Sequence, residues 1–289
     1  MRFSILAVAS AIAATAVLAA PTRFSKRDAT SDANIFNFAL TLEHLEAEFY
    51  NQGLAKFNSH AFATAGFGGK IRDRFVEIDK HESTHVTTLS TAITQLGGTP
   101  VAPCKYKFPL DDVETFIAVA RALENTGVSA YLGAASGLDG DLLTAAASIT
   151  TVEARHSSFL NEILGQSGAP YAFDTPLSAK EVFTIASNFI ESCPDDIGLA
   201  AFTQLKAKLP AEGATKVETW FEGSDDPRQT WCQFLYNDKI RVSKREECAL
   251  PPGVTGYVYI VITDTATPIT LKDDSSIVAG PVLLFKGDH

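Results

Sequence analysis

The chain has 289 residues, of which 46% are hydrophobic and 20% are charged, and its formal net charge at pH 7 is −10. This length fits one large domain or one domain with an appendage, and the apolar content excludes wholesale disorder. The acidic balance argues against a nucleic-acid-binding protein, because few basic residues are available to neutralise phosphates.

The N-terminus has the composition of a secretory signal peptide. Arg2 precedes an apolar, alanine-rich run that ends in small residues and is short for a membrane span. We therefore predict a signal peptide over residues 1–19 and a propeptide over residues 20–27, which ends at the dibasic pair Lys26-Arg27. No later stretch is long and apolar enough to span a bilayer. We expect a secreted, extracellular protein, and association with the cell wall is left open.

Residues 31–165 carry the pattern of four amphipathic helices. Apolar residues recur at helical spacing in each of them, and Gly, Pro and Asp residues separate one helix from the next. The predicted helices run from Ser31 or Asp32 to about Phe57, from about Lys70 to Leu96, from Asp111 or Asp112 to near Gly137, and from Gly140 to about Leu164. A Gly- and Ala-rich linker, residues 58–69, joins the first two. The predicted fold is mainly α, with an antiparallel four-helix bundle over residues 28–170.

Beyond residue 170 the composition changes. Residues 178–190 predict one further helix, and from about residue 215 Trp, Tyr, Val and Thr become frequent between Gly, Pro and Asp residues, as in β-strands. The predicted strands are Lys216–Phe221, Thr230–Val242, Gly256–Ile262 and Pro281–Phe285. Residues 171–289 are therefore predicted to form a connecting helix and a small C-terminal β-rich extension.

Cysteine usage agrees with secretion. The chain has four cysteines, an even number, and none of their spacings forms a C-x-x-C zinc motif. We expect two disulfides, for which three pairings are open, among Cys104, Cys193, Cys232 and Cys248.

Three glutamates lie on the apolar faces of predicted helices. Glu82 falls in line with the core positions of the second helix, Glu124 with those of the third and Glu153 with those of the fourth. An ionised carboxylate in a core is costly unless it is paired or bound to a cation. Three carboxylates at matched depth, each in its own helix, indicate a shared cation.

Two of these glutamates carry a histidine one turn further on. Glu82 is followed by His85, and Glu153 by His156, so each pair projects from one face of its helix. A Glu-x-x-His pair from each of two helices, with a glutamate from each of the other two, forms a di-metal site in one class of four-helix proteins. The remaining glutamates of such a site are Glu124 from the third helix and, from the first, Glu43 and Glu46.

The positions of these residues along the chain favour one common layer. Glu43 and Glu82 are nearly equidistant from the turn between the first two helices, and Glu124 and Glu153 from the turn between the last two. Residues equidistant from the turn of an antiparallel helical hairpin meet in one layer. Glu43 is therefore predicted to lie next to Glu82, and Glu124 next to Glu153.

The two halves of this region also repeat one pattern. Leu42-Glu43 is followed seven residues after the glutamate by Tyr50, and Leu123-Glu124 likewise by Tyr131. A Glu-x-x-His helix follows in each half. We predict that Tyr50 and Tyr131 are core residues whose hydroxyls bond the ligand carboxylates.

Residues 31–165 resemble the ferritin-like superfamily. The run LEHLEAEFY, residues 42–50, and the secreted, dibasic-processed layout are similar to fungal ferritin-like proteins described as stress-response or sexual-development proteins, which also resemble plant desiccation-related proteins. The resemblance implies a ferritin-like bundle that holds a carboxylate-bridged pair of iron or manganese ions. It implies bridging roles for Glu82 and Glu153, terminal carboxylates in Glu43 and Glu124, and nitrogen ligands in His85 and His156.

The ligand from the first helix has two candidates. The glutamate-to-tyrosine spacing favours Glu43, whereas the centre of the apolar stripe favours Glu46. Because the two are three residues apart, both can line the site.

The predicted activity is that of a di-metal oxidoreductase, such as an oxidase, a peroxidase or a catalase, whose partner is a small-molecule oxidant, peroxide or dioxygen. A non-enzymatic stress, developmental or surface protein with a metal-free bundle is the alternative from a different class. The sequence predicts neither the substrate nor the oligomeric state.

A third hypothesis comes from residues 81–85, which read H-E-x-x-H, the helix motif of zinc metalloproteases. There His81 is a zinc ligand and Glu82 a base, and the second Glu-x-x-His pair has no role. In the di-metal hypothesis His81 lies off the face of the helix that carries the site.

Overall fold

A computed structural model describes residues 29–211, 214–224 and 229–287. The predicted signal peptide (1–19) and propeptide (20–27) lie outside these residues. The helices of the described part are α1 (Ala29–Lys56), α2 (Ser59–Thr64), α3 (Gly69–Gln95), α4 (Val113–Ala134), α5 (Gly140–Ile163) and α6 (Ala179–Ala186). Its strands are β1 (Lys105–Tyr106), β2 (Ile190–Ser192), β3 (Leu205–Lys208), β4 (Glu218–Phe221), β5 (Trp231–Tyr236), β6 (Lys239–Lys244), β7 (Gly256–Thr263) and β8 (Ile277–Lys286).

Four long helices, α1, α3, α4 and α5, correspond to the four predicted ones. α1 packs along α3 and α4 packs along α5, so that each half of the repeat forms one hairpin of helices. Asp112 caps α4 by accepting a hydrogen bond of 2.7 Å from the backbone N–H of Thr115. None of the helices in the described part of the chain is both long and apolar enough to cross a lipid bilayer.

The predicted linker between the first two long helices contains the short helix α2. Its N-cap is Asn58, whose side chain accepts hydrogen bonds of 3.0 Å from the backbone N–H groups of His60 and Ala61. Phe62 is fully buried and lies edge-on to Phe75, with ring centroids 5.4 Å apart. A side-chain cap and one buried aromatic anchor thus order a segment whose glycines and alanines predict a loop.

The C-terminal region contains an antiparallel sheet with the strand order β6-β5-β7-β8. The single strand predicted over residues 230–242 is a hairpin, because Asn237 and Asp238 adopt positive φ angles of 45° and 56° and turn the chain back. The strand predicted over residues 216–221 is present as β4, which pairs with β3; β3 itself and the short β1–β2 pair were not predicted. The predicted helix over residues 178–190 ends at Ala186.

The two expected disulfides are present, and the structure selects one of the three pairings: Cys104–Cys193 and Cys232–Cys248. The first joins the loop that follows α3 to the segment that follows β2. It lies beside the β1–β2 pair, so a covalent link and strand pairing both tie the helices to the C-terminal region. The second lies within that region.

Two tyrosines of strand β7 connect the sheet to the helices that carry the predicted site. The hydroxyl of Tyr259 lies 2.7 Å from Asn125 Nδ2, and the hydroxyl of Tyr257 donates to Asn161 Oδ1 at 3.0 Å and lies 2.9 Å from Ser157 Oγ. Asn125 follows Glu124 directly on α4, and Ser157 follows His156 on α5. One face of the sheet shares its hydrophobic core with the helices. The extension therefore braces α4 and α5 next to predicted metal ligands.

Helix α6 packs against α4 and holds a buried carboxyl group, Glu181, which is 2% exposed. Its carboxylate accepts a hydrogen bond of 2.7 Å from the backbone N–H of Ser178, but its Oε1 has no partner. Burial raises the pKa of Glu181 from 4.5 to about 7. Between these values the folded chain binds the proton more tightly than the unfolded chain, so this group makes the protein less stable as pH rises.

We expect Glu181→Gln to remove this loss, because the amide oxygen still caps Ser178 but the side chain cannot ionise. The fall in the free energy of unfolding between pH 5 and pH 8 should be smaller than in the wild type by about 1–3 kcal/mol. Urea unfolding at the two pH values measures it. Glu114→Gln, at an exposed first-turn glutamate of α4, is the control. Identical pH dependence in Glu181→Gln and the wild type would contradict the prediction.

Candidate metal centre

The four long helices bring all the predicted ligands into one buried cluster. Each of these residues is at most 7% exposed, whereas the other acidic residues of the described ranges lie mainly at the surface. The cluster consists of Glu43 and Glu46 from α1, Glu82 and His85 from α3, Glu124 from α4, and Glu153 and His156 from α5.

Six of these residues form two overlapping groups of potential ligands. In each group one atom per residue lies within 4.8 Å of all the others. The first group is Glu43, Glu82, His85 and Glu153, and the second is Glu82, Glu124, Glu153 and His156. Glu82 and Glu153 belong to both. Because a carboxylate has two oxygens, each shared glutamate can offer one oxygen to each of two neighbouring positions.

The Nδ1 atom of each histidine faces several carboxylate oxygens at once. Nδ1 of His85 lies 3.2 Å from Glu43 Oε2, 3.1 Å from Glu82 Oε2 and 3.2 Å from Glu153 Oε1. One imidazole nitrogen carries at most one proton, so it cannot satisfy three acceptors. A cation between the nitrogen and the oxygens would satisfy them all.

The second histidine faces two carboxylates in a similar way. Nδ1 of His156 lies 3.1 Å from Glu124 Oε2 and 3.2 Å from Glu82 Oε1. Each half of the helical repeat thus offers one imidazole nitrogen to the shared carboxylates.

Three carboxylate oxygens of the shared glutamates have no hydrogen-bond partner. They are Glu82 Oε1 and both oxygens of Glu153, and all three are buried. Leaving such atoms unsatisfied in a core is costly, and a bound cation removes the cost. Mixed carboxylate oxygen and imidazole nitrogen donors suit manganese and iron. The residues present therefore fit a pair of such ions.

The electrostatics of the cluster also favour cations. Burial raises the pKa of Glu153 and of Glu46 well above the ordinary value, and it raises that of Glu43 to about 7. Burial opposes the charged form of His85, but the carboxylates of Glu153 and Glu43, each 3.2 Å from its Nδ1, outweigh burial and raise the pKa to about 12. The cluster thus draws in protons to balance its negative charge, and a cation would take their place.

Two buried tyrosines hold the outer carboxylates in a crossed arrangement. Tyr50 of α1 donates its hydroxyl proton to Glu124 of α4, and Tyr131 of α4 donates to Glu43 of α1. The prediction that these tyrosines are core residues hydrogen-bonded to the candidate carboxylates is confirmed. The sequence repeat did not show that each tyrosine serves the glutamate of the opposite half.

Glu46 lies beside the two ligand groups and belongs to neither. In the repeat its counterpart, three residues after Glu124, is Gly127. A Cβ atom at Gly127 would lie 2.9 Å from Glu153 Oε2 and 3.2 Å from Glu46 Oε1. The missing side chain therefore leaves the space that these two carboxylates occupy. Gly127 was not among the predicted site residues, although an alignment of the two halves of the repeat points to it.

His81 lies outside the ligand groups, as predicted, yet it contacts the candidate ligand His156. Its Nδ1 is 2.9 Å from His156 Nε2, and the two rings are nearly parallel, with centroids 5.2 Å apart. This contact joins α3 to α5, so the pattern of a single helix could not show it. The zinc-protease motif requires His81 and His85 to bind the same ion. Neither ligand group in the described residues contains both.

Comparisons with known proteins concern the same region of the chain. The sequence profile of the family described as "Ferritin-like domain" matches residues 31–166, which confirms the resemblance predicted for residues 31–165. Protein rds1 of Schizosaccharomyces pombe (strain 972 / ATCC 24843) is 28% identical over 255 residues, which make up 82% of this chain. The chain spans 61% of the length of that curated relative.

Among solved structures, the chain is similar to a crystal structure described as ferritin-like, diiron-carboxylate proteins from Bacillus anthracis str. Ames. The sequence identity is 22% and the TM-score is 0.41, and the match covers 48% of this chain and 98% of the other.

We expect Gly127→Ala to weaken metal binding without unfolding the protein. Alanine favours the helix by about 1 kcal/mol over glycine, but its methyl group would press against the Glu153 carboxylate. Affinity for Mn(II), measured by calorimetry, should fall by about tenfold or more. Gly69→Ala, at the start of α3 where a Cβ meets nothing within 4 Å, is the control. Equal affinities of the two variants would contradict the prediction.

Proposed function

We propose that the ferritin-like domain of residues 31–166 is an antiparallel four-helix bundle that holds two iron or manganese ions and acts on peroxide or dioxygen. The observation that carries the proposal is the pair of overlapping ligand groups that share Glu82 and Glu153. Two groups with two carboxylates in common suit two adjacent ions better than they suit one.

Each residue of the cluster has a distinct part in this proposal. Glu82 and Glu153 would bridge the ions, and each ion would have one further glutamate and one histidine. The first ion would take Glu43 and His85, and the second Glu124 and His156. Bound iron or manganese supplies one-electron redox steps toward a small oxidant.

The surrounding side chains would keep this chemistry in place. Tyr50 and Tyr131 donate hydrogen bonds that fix the outer oxygens of Glu124 and Glu43. Glu46 lies beside Glu153, and burial raises the pKa of Glu46 well above the ordinary value. Burial of the whole cluster keeps bulk water away from the carboxylates.

Metal analysis of the protein purified without chelator tests the proposal. We expect about two Fe or Mn per chain. Glu153→Gln should lower the occupancy of both positions, because it changes a shared ligand, whereas His85→Ala should empty mainly one. Glu162→Gln, at an exposed glutamate of the same helix α5, is the matched control and should retain both ions.

Other outcomes decide between the alternatives. A folded chain that takes up no Fe(II) or Mn(II) would show that the bundle is a metal-free scaffold. One zinc per chain, with peptidase activity lost in His81→Ala, would support the H-E-x-x-H hypothesis. The His81–His156 contact argues against the zinc-protease hypothesis. It occupies Nδ1 of His81 and turns the His81 ring toward α5.

We propose further that the chain is secreted, acts in stress response or sexual development, and matures by cleavage after Lys26-Arg27. The two disulfides support secretion, because such bonds persist in oxidising compartments. Expression of the full chain in a fungal host should release protein into the medium, and N-terminal sequencing should find Asp28 as its first residue. Retention in the cells with residues 1–27 still attached would contradict this.

A further inference from the structure

A pocket of about 550 Å³ lies between α3 and α5 and reaches the candidate metal centre. Two predicted metal ligands, His85 and His156, form part of its wall. Ile78, Val152 and Phe159 supply an apolar side. The pocket is therefore a route by which a molecule from outside reaches the ligand cluster.

The size of the pocket is informative. A water-sized molecule occupies about 30 Å³ of liquid, and peroxide or dioxygen is not much larger. Pockets of about 300–1,000 Å³ instead hold organic molecules of drug-like size. The apolar wall suits the body of such a molecule, since burying that surface is favourable.

The charges around the pocket select the polar end of such a molecule. Arg74 and Arg155 line it together with one carboxylate, Glu77, and Arg74 already pairs with Glu77. Arg155 is exposed, and no carboxylate in the described ranges forms an ion pair with it. A free guanidinium is therefore available in a chain that is acidic overall. Guanidinium groups bind carboxylates through paired, charge-assisted hydrogen bonds.

His81 adds a second donor on the same side. If Nδ1 of His156 binds a metal ion, its Nε2 carries the proton and donates it to His81 Nδ1, 2.9 Å away. The neutral His81 ring then carries its own proton on Nε2, and His81 lines the pocket. This step rests on the proposed function, whereas the argument from Arg155 does not.

We infer that this pocket binds a small organic carboxylate with an aromatic or short aliphatic body, whose anionic end pairs with Arg155. The apolar wall of Ile78, Val152 and Phe159 holds the body of the molecule close to His85 and His156. The bound acid is thereby placed next to the metal centre. This assigns the proposed oxidoreductase an organic acid as its second ligand, besides the oxidant.

Calorimetric titration of the full chain, freed of metal with a chelator, tests the inference without any role for a metal. Three probes of the same shape are compared: benzoate, benzyl alcohol and benzylamine. We expect benzoate to bind more tightly than the other two. Arg155→Gln should weaken benzoate binding by about tenfold or more. Arg241→Gln, at an exposed arginine on β6, makes the same charge change elsewhere and should leave it unchanged.

A second variant distinguishes the effect of filling the pocket from the effect of removing the charge of Arg155. Val152→Trp should fill the pocket and abolish binding of every probe, while circular dichroism and thermal unfolding show a folded chain. Benzoate binding that is absent, equal to that of benzyl alcohol, or unaffected by Arg155→Gln overturns the inference. Specific benzoate binding by a chain that takes up no metal would support the pocket and refute the proposed function, so the two failures are distinguishable.

Discussion

The burial of several carboxylates in one place is the constraint on which the rest of this structure depends. Glu82 and Glu153 are completely buried, and three of their four oxygens have no hydrogen-bond partner. Negative charge at such density in a core is unfavourable without compensation. Within the cluster the compensation comes from His85 and His156, whose pKa values rise to about 12 and about 10 despite burial. A pair of cations would supply the same compensation with better geometry.

The surrounding structure keeps these groups from moving apart. The crossed bonds from Tyr50 to Glu124 and from Tyr131 to Glu43 tie the two helical hairpins to each other at the level of the cluster. From the β-sheet, the Tyr259 hydroxyl accepts a hydrogen bond from Asn125 of α4, which directly follows Glu124. Ligands that are fixed before the ion arrives cost less to organise when it binds. The β-rich extension is therefore part of the support of the site.

The two halves of the repeat are not equivalent, and the differences bear on function. Glu46 in the first half corresponds to Gly127 in the second, so one extra carboxylate lies beside Glu153 where the opposite helix has no side chain. His81 contacts His156, whereas no residue in the described ranges makes the corresponding hydrogen bond to His85 Nε2. The two metal positions would therefore differ in affinity and in access from the pocket. The helical repeat supplies the candidate ligands, and the two halves differ at Glu46 and Gly127 and in the contact of His81.

The sequence by itself determined the long helices, the candidate ligands of the buried cluster and the number of disulfides, because each depends on periodicity or on residue counts within one segment. Glutamates on apolar helix faces were informative, because a buried charge is costly unless it is paired or bound to a cation. This cost predicts a shared partner before the fold is known. The tertiary structure alone decided the disulfide pairing, the crossed tyrosines, the space at Gly127, the His81–His156 contact and the pocket. These depend on distances between segments far apart in the chain. The spacing of residues along one helix carries no information about which neighbour lies opposite.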